Sequence, residues 1–179
     1  QQSGFVFVAQ MRANLPDAVG GVLWFGTDDA NMTVFTPVYC CTTKAPVCYT
    51  RVDGADYITF SLNSAFWIFN WVANMVYPRY DLMIGDVRAT QNELETTFNE
   101  AQEGIEAAAV KLYEKNPETA VKFLTNYTDM TAQSTFDTWK RLGEFIIVKY
   151  NDGVIRKMKD GKFERNAIGQ PAGVVRPGY

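Results

Sequence analysis

Hydrophobic and polar residues alternate along the first part of the chain, which predicts strands. In FVFVAQMR one face of a strand carries Phe5, Phe7, Ala9 and Met11, and the other carries Val6, Val8, Gln10 and Arg12. Two further strands are predicted in the glycine-bounded run GVLWFG and in MTVFTPVYC, whose Pro37 indicates a sheet edge or a bulge. Because short loops join the three segments, an antiparallel arrangement is the simplest.

The uncharged run 57–77, YITFSLNSAFWIFNWVANMVY, predicts a strand end followed by a helix. Asn63 or Ser64 can cap this helix and Pro78 can end it. The run is long enough to span a membrane. Its asparagines argue against a span, because they would place unpaired amide groups in hydrocarbon. We therefore expect a buried helix of a soluble fold without membrane attachment.

Helical spacing continues from there to about residue 150. Apolar and small residues three and four apart predict a long amphipathic helix over 81–115, with a coiled-coil seam as the alternative. Asn116 and Pro117 suit the cap and the first position of another helix, and a last helix is predicted to begin near Ser134. The sequence thus predicts an α+β fold, with antiparallel strands in the first third and helices after them. We expect one domain over 1–150 and a turn-rich tail over 151–179.

Composition narrows the classes of function. The chain has 179 residues, is 47% hydrophobic and 21% charged, and contains no histidine and three cysteines. Its net charge of -3 argues against a nucleic-acid partner. Without histidine, neither a metal site nor a histidine-based catalytic triad is expected, and no cofactor is predicted. The start of the chain lacks the features of a signal peptide, and the compartment, cytoplasmic or exported, stays open.

Three groups of residues are candidates for chemistry. Gln10 and Arg12 share one face of a strand, and an arginine fork can bind the carboxylate of a small substrate. The alternative is that the strand end simply emerges into solvent. Asp28 and Asp29 could bind a cation or a substrate ammonium, or form a turn.

The third group is the run Cys40-Cys41-Thr42-Thr43, which resembles a nucleophile site only superficially. The chain has no histidine to activate a thiol there, and Lys44 is the one charge beside it. Structural cysteines are therefore the favoured interpretation.

Several blocks of the sequence together resemble a known family. FVAQMR, GGVLWFGTDDA, TVFTPVY and SAFWIFNWVAN, followed by a long helical part that ends in PGY, are similar in order and spacing to the dipeptidase A family of cysteine peptidases. These enzymes are N-terminal nucleophile hydrolases. The resemblance runs over nearly the whole chain and corresponds to the later part of such an enzyme.

The resemblance implies two stacked antiparallel sheets between helical layers, and hydrolysis of dipeptides by a cysteine at the mature N-terminus. The free α-amine, with an unperturbed pKa of about 7.7–8.0, would take the thiol proton, so histidine is not needed. Amide donors would hold the oxyanion.

Residue 1 is Gln, and Cys41-Thr42-Thr43 is internal, so the nucleophile is expected to lie outside this chain. The chain would then be the catalytically incomplete C-terminal part of a dipeptidase, with Gln10, Arg12 and Asp28 as substrate-binding residues and Trp24 and Trp67 as core residues. The alternative is a non-catalytic structural or interaction domain of the same fold. Half of a two-sheet sandwich would expose apolar surface, so a homo-oligomer is also expected.

Overall fold

The alternating segments of the first third form one antiparallel sheet. A computed structural model, which describes residues 3–177, contains β1 (Phe5–Met11), β2 (Gly21–Thr27) and β3 (Thr36–Tyr39) in the order β1-β2-β3. Phe7 pairs with Phe25, and Leu23 pairs with Val38. A single helical turn, α1 (Asp17–Gly20), joins the first two strands. The predicted antiparallel strands are confirmed.

Three longer helices follow the sheet: α2 (Ala65–Val76), α3 (Tyr80–Lys115) and α4 (Pro117–Tyr150). The α+β class is therefore confirmed. Asn116 caps α4 as predicted, because its side chain accepts a hydrogen bond from the Glu118 N–H at 2.9 Å.

The prediction of a separate helix beginning near Ser134 was wrong, because α4 is continuous through that point. The threonines between the two predicted helices do not break it. The Thr131 hydroxyl donates to the Tyr127 carbonyl within α4, and the Thr128 hydroxyl accepts from the Tyr39 N–H of β3. Thr128 thus bonds the helix to the edge of the sheet, whereas Thr131 bonds within the helix.

Two segments that were predicted as strand are irregular. Within 32–35 the backbone pairs with α3 and not with a strand, since the Phe35 N–H donates to Glu95 and the Gln91 amide donates to the Thr33 carbonyl. For this reason β3 begins only at Thr36. The bond from this segment to β2 is a side-chain one, from the Thr33 hydroxyl to the Thr27 carbonyl. The run 57–62 is a turn beside an isolated bridge between Asp56 and Thr59, and it is not a strand end.

The main core lies where α2 packs against α4. The ring of Phe69 stacks on that of Trp139, with centroids 4.7 Å apart and planes 9° from parallel. Both side chains are buried. A second cluster lies between the sheet and the long helices and contains Val19, Val22, Tyr39, Ala109, Leu124 and Tyr127. Within residues 3–177, no helix has the length and apolarity that crossing a bilayer requires.

The two faces of the sheet differ in how far other elements bury them. Val22 and Tyr39 face the long helices and are buried. On the opposite face Phe5, Phe7 and Met11 are 57%, 51% and 74% exposed. β1 is an edge strand of this sheet. The stacked second sheet that the family resemblance implies does not occur among the described residues.

The segment after α4 forms two short antiparallel pairs. β4 (Ile155–Arg156) pairs with β7 (Val174–Val175), and β5 (Met158–Lys159) pairs with β6 (Lys162–Phe163). Phe163 stacks on Phe145 of α4, with ring centroids 5.7 Å apart. The tail therefore contacts the last helix, and the division at residue 150 stays a prediction.

Two helical glycines give a paired test of the packing between α2 and α4. A Cβ at Gly143 would lie 2.5 Å from a ring carbon of Trp71, whereas a Cβ at the exposed Gly104 meets nothing within 4 Å. We expect Gly143→Ala to lower the free energy of unfolding by about 1–2 kcal/mol, because overpacking outweighs the gain in helix propensity. Gly104→Ala should raise it by up to about 1 kcal/mol. Urea unfolding measures both, and a stabilised Gly143→Ala variant would contradict the close contact.

Candidate active-site cavity

A cavity of about 520 Å³ lies at the end of the sheet where β1 begins and β2 ends. The loop 47–57 and the first turn of α2 complete its walls. Aromatic rings form much of the lining: Phe25 lies 5.2 Å from Tyr49, and Tyr57 lies 5.3 Å from Phe66, measured between centroids. The volume falls within the range of small-molecule sites.

An ion pair, a threonine and a serine contribute polar groups to the lining of this cavity. Arg51 forms an ion pair with Asp56, whose Oδ2 lies 3.1 Å from an Arg51 Nη. Thr27 lines the wall, and its buried hydroxyl has no hydrogen-bond partner among residues 3–177. Ser64 stands at the N-cap of α2 without a side-chain capping bond. The apolar cavity therefore contains a small set of available hydrogen-bonding groups.

Asp28 follows the cavity end of β2 and is buried. Its backbone has a φ of 64°, in the left-handed region, and its N–H donates to the Gly4 carbonyl at 3.0 Å. Oδ1 accepts from the Asn70 amide at 3.2 Å, whereas Oδ2 has no partner within residues 3–177. Burial raises the pKa of Asp28 above its ordinary value, and the hydrogen bond from Asn70 opposes this shift.

Asp29 is satisfied by its own turn. Its Oδ1 accepts from the backbone N–H groups of Asn31 and Met32, and its Oδ2 accepts from the Tyr77 hydroxyl. This hydrogen bond is the main reason why the pKa of Tyr77 rises to about 12. Of the two adjacent acids, Asp29 therefore forms the turn and Asp28 retains a free oxygen.

Gln10 and Arg12 belong to a different place, a polar network between the sheet and α3. An Arg12 Nη lies 2.5 Å from a Glu106 carboxylate oxygen, and the other Nη donates to the Val19 carbonyl. Tyr39 donates its hydroxyl to Glu106. Gln10 accepts from the Gln102 amide, which also donates to Glu106, and from the Trp24 indole. These contacts hold the sheet against α3.

The structure brings Gln10 and Arg12 together but separates them from Asp28. Asp28 bonds to Gly4 at the start of β1, and Arg12 follows the end of the same strand. Eight residues of extended chain span about 26 Å. A substrate contact for Gln10 or Arg12 stays a prediction, while the observed bonds give both residues a structural role.

Several residues at these sites were not predicted. Glu106 lies among small and apolar residues of α3, in the run GIEAAAV. An acidic residue in such a buried stretch indicates a cationic partner, which in the structure is Arg12. Asn70 was noted only as a reason against a membrane span, but it bonds to Asp28. The loop 47–57 has no periodicity, so its place in the cavity wall had no signal in the sequence.

Two of the three cysteines lie in surroundings that disfavour the thiolate. Cys40 is exposed, Cys41 is half-buried and Cys48 is buried. Burial raises the pKa of Cys41, and it raises the pKa of Cys48 to about 12. The Cys48 thiol lies near the Ala132 carbonyl, at 3.9 Å. Because the thiolate is the reactive form, Cys41 and Cys48 are poor nucleophiles at neutral pH.

Comparison with protein families places the chain among the peptidases. The family model described as peptidase family C69 matches residues 1–93. This region includes the whole three-stranded sheet, the loop 47–57 and α2, so it contains every wall of the cavity. The chain therefore belongs to peptidase family C69, the dipeptidase A family of cysteine peptidases, as the sequence blocks predicted. No curated protein matches the chain.

The network around Arg12 predicts a stability difference between two ion pairs. Arg12 and Glu106 have side chains 20% and 11% exposed, whereas those of Lys44 and Asp129 are 58% and 38% exposed. Arg12→Met should lower the free energy of unfolding by about 2–4 kcal/mol, because it leaves a largely buried carboxylate unpaired. Lys44→Met should change it by less than about 0.5 kcal/mol. Equal effects in urea unfolding would show that the network contributes no stability.

The raised pKa of Asp28 predicts that removing its charge stabilises the folded protein, by an amount that depends on pH. Because the pKa of Asp28 is higher in the folded than in the unfolded protein, protonation of Asp28 stabilises the folded state. This stabilisation is complete below the ordinary pKa of 3.8 and is lost as the pH rises through the pKa of the folded protein. Asp28→Asn should therefore raise stability at pH 7, and its advantage should vanish as the pH falls towards 3.8. Asparagine also tolerates the left-handed backbone.

The neighbouring acid provides the control for this prediction. Asp29→Asn should lower stability at pH 7, because it weakens the bond from Tyr77 without relieving a buried free oxygen. Thermal unfolding of both variants between pH 4 and pH 8 measures the two trends. A destabilised Asp28→Asn protein would show that the Asp28 charge has a compensating partner.

Proposed function

We propose that this chain is part of a cysteine dipeptidase whose nucleophile lies outside residues 3–177. The observation that carries the proposal is the cavity, whose walls all lie in the region that matches peptidase family C69. Its volume of about 520 Å³ suits a ligand as small as a dipeptide.

The surroundings of the cysteines support a nucleophile elsewhere. Cys48 is the one cysteine that lines the cavity, and its thiol is buried with a strongly raised pKa. The sequence has no histidine that could take a thiol proton. In the proposed enzyme, the α-amine of an N-terminal cysteine takes the proton from its own thiol. The thiolate then attacks the peptide carbonyl, the amine of the second residue leaves with a proton, and water hydrolyses the thioester.

The open face of the sheet supports a larger assembly around this cavity. Phe5, Phe7 and Met11 expose an apolar surface on the edge strand, and a sheet of this kind normally packs against another layer. We propose that a second sheet of the same enzyme covers this face and brings the nucleophile to the cavity. In its absence the same face favours association between copies of the chain.

Of the three predicted substrate-binding residues, Asp28 has the best support. Its Oδ2 has no partner within residues 3–177, and buried polar groups without partners often belong to functional sites. Asp28 is 1% exposed and follows the cavity-lining Thr27 without lining the cavity itself. We propose that this oxygen accepts a hydrogen bond from the substrate ammonium in the complete enzyme. Gln10 and Arg12 would have to leave their network to reach a substrate.

Assays of dipeptide hydrolysis test the proposal. The chain itself should release no amino acids from alanyl-phenylalanine, and changing Cys40, Cys41 and Cys48 to serine should make no difference. The longer product of the same gene should hydrolyse the dipeptide and should lose this activity, by a factor of about 1,000 or more, when its N-terminal cysteine becomes serine.

Two outcomes would contradict the proposal in different ways. Hydrolysis by the chain that disappears with Cys40→Ser would place the nucleophile within the described residues. An inactive gene product without any cysteine at its mature N-terminus would favour a non-catalytic domain that retains the peptidase fold.

A further inference from the structure

We propose that the cavity binds the C-terminal residue of a peptide, with the carboxylate at the N-terminus of α2 and the side chain against the aromatic walls. Thr27 and Arg51 would supply further donors to the carboxylate. This inference rests on the proposed function, because it names the class of substrate that the same cavity accepts: peptides with a free carboxylate and an apolar or aromatic last residue.

No side chain caps the N-terminus of α2. The nearby Asp53 carboxylate accepts from the side chains of Ser61 and Asn63 instead of the first backbone N–H groups of the helix. The helix has 12 residues, no acidic residue in its first turn and no side-chain capping bond from Ser64. The first N–H groups of a helix have no acceptor within the helix, and the helix dipole favours an anion beside them. Ser64 and Phe66 of this turn line the cavity. The geometry thus directs these donors to the region where a ligand carboxylate would bind.

Thr27 provides a second and independent indication of a ligand. The residue is 7% exposed, and its hydroxyl has no partner within residues 3–177. The alternation of β2 places it on the same sheet face as Phe25, and its ladder partner Phe5 also lines the cavity. A buried hydroxyl without a partner costs about 1–3 kcal/mol. Rotation about χ1 would allow this hydroxyl to donate to a carboxylate oxygen in the cavity.

Arg51 and Asp56 are the charged residues of the lining. Asp56 accepts from one Nη of Arg51 and, through its other oxygen, from the Ile58 N–H. Asp56 is therefore already paired, and it holds Arg51 at the cavity while the remaining guanidinium N–H groups stay available. The pair is neutral as a whole, and the Arg51 side chain is 75% exposed. A ligand carboxylate would therefore gain hydrogen bonds from the free guanidinium N–H groups and attraction from the helix dipole, without an excess positive charge at Arg51.

The walls determine which side chain can accompany the carboxylate. Phe5, Phe25, Tyr49, Tyr57 and Phe66 surround the cavity. Rings at such separations offer faces and edges for another aromatic group. An aspartate side chain would lose hydration in these surroundings, because the Arg51 charge is already paired with Asp56. A lysine ammonium would gain only cation–π contacts with the rings in exchange for its hydration.

Calorimetric binding to the full 179-residue chain at pH 7 tests the inference without relying on hydrolysis. The probes are alanyl-phenylalanine, its C-terminal amide and alanyl-lysine. We expect the amide to bind at least about tenfold more weakly than the free acid, since it loses charge-assisted hydrogen bonds. Alanyl-lysine should also bind at least about tenfold more weakly than alanyl-phenylalanine, because the aromatic walls do not solvate its ammonium.

Two variants remove the proposed donors. Arg51→Met should weaken binding of the free acid about tenfold and leave binding of the amide unchanged. Thr27→Val should weaken binding of the free acid about fivefold. This variant should fold at least as well as the parent chain, because it removes an unpartnered hydroxyl and keeps the shape. Arg141→Met and Thr97→Val, which lie on exposed parts of α4 and α3, are the matched controls and should change no affinity.

Each outcome decides between the two proposals. Equal affinities for the acid and its amide, or no binding of the acid at 10 mM, about the weakest affinity that matters for a millimolar substrate, would overturn the carboxylate site. If the longer gene product hydrolyses dipeptides but Arg51→Met leaves its KM unchanged, the peptidase proposal stands and the carboxylate site fails. If the chain binds the acid selectively but no form hydrolyses it, the site stands and the peptidase proposal fails.

Discussion

The stacking of Phe69 on Trp139 fixes the position of α2, and the rest of the candidate site depends on that position. The helix is apolar on most of its surface and packs between α4 and the end of the sheet. Once it lies there, its first turn closes the cavity, Asn70 reaches Asp28, and the residue that follows the helix, Tyr77, reaches Asp29. One hydrophobic contact thus positions two polar contacts and one wall of the cavity.

Buried polar groups are hydrogen-bonded at one end of the sheet and partly unpaired at the other. At the end near Arg12, the guanidinium donates to Glu106, and the Gln102 amide donates to both Glu106 and Gln10, so this end stabilises the fold. At the cavity end, Thr27 and Asp28 keep oxygens that have no partner within residues 3–177. Unpaired buried oxygens reduce stability. Thr27 lines the aromatic cavity and Asp28 follows it in the chain, whereas the third such atom, the Trp139 indole nitrogen, lies in the core between α2 and α4. The two oxygens at this end of the sheet are the ones that a ligand could partner.

The sequence allowed prediction of the elements whose local pattern agrees with their surroundings. Alternation gave β1 and β2, and the pair Asn116-Pro117 marked the start of α4. The failures arose where a distant partner decides the structure. Residues 32–35 are outside the sheet because Glu95 and Gln91 of α3 bond to the backbone groups of Phe35 and Thr33. The threonines of α4 do not break the helix, and Thr128 bonds to β3 from within it.

The same reasoning explains why the site was predicted only in part. A pair of acids at a strand end is visible as a pattern, but which oxygen stays free depends on Tyr77 and on the turn that follows. Arginine on a strand suggested substrate binding, because no local signal linked it to Glu106, 94 residues away. The role of a charged residue depends on the groups that it contacts in the folded structure. In this fold the paired charges hold the sheet to α3, and Thr27, whose hydroxyl has no partner within residues 3–177, lines the cavity, where a peptide could complete its hydrogen bonding.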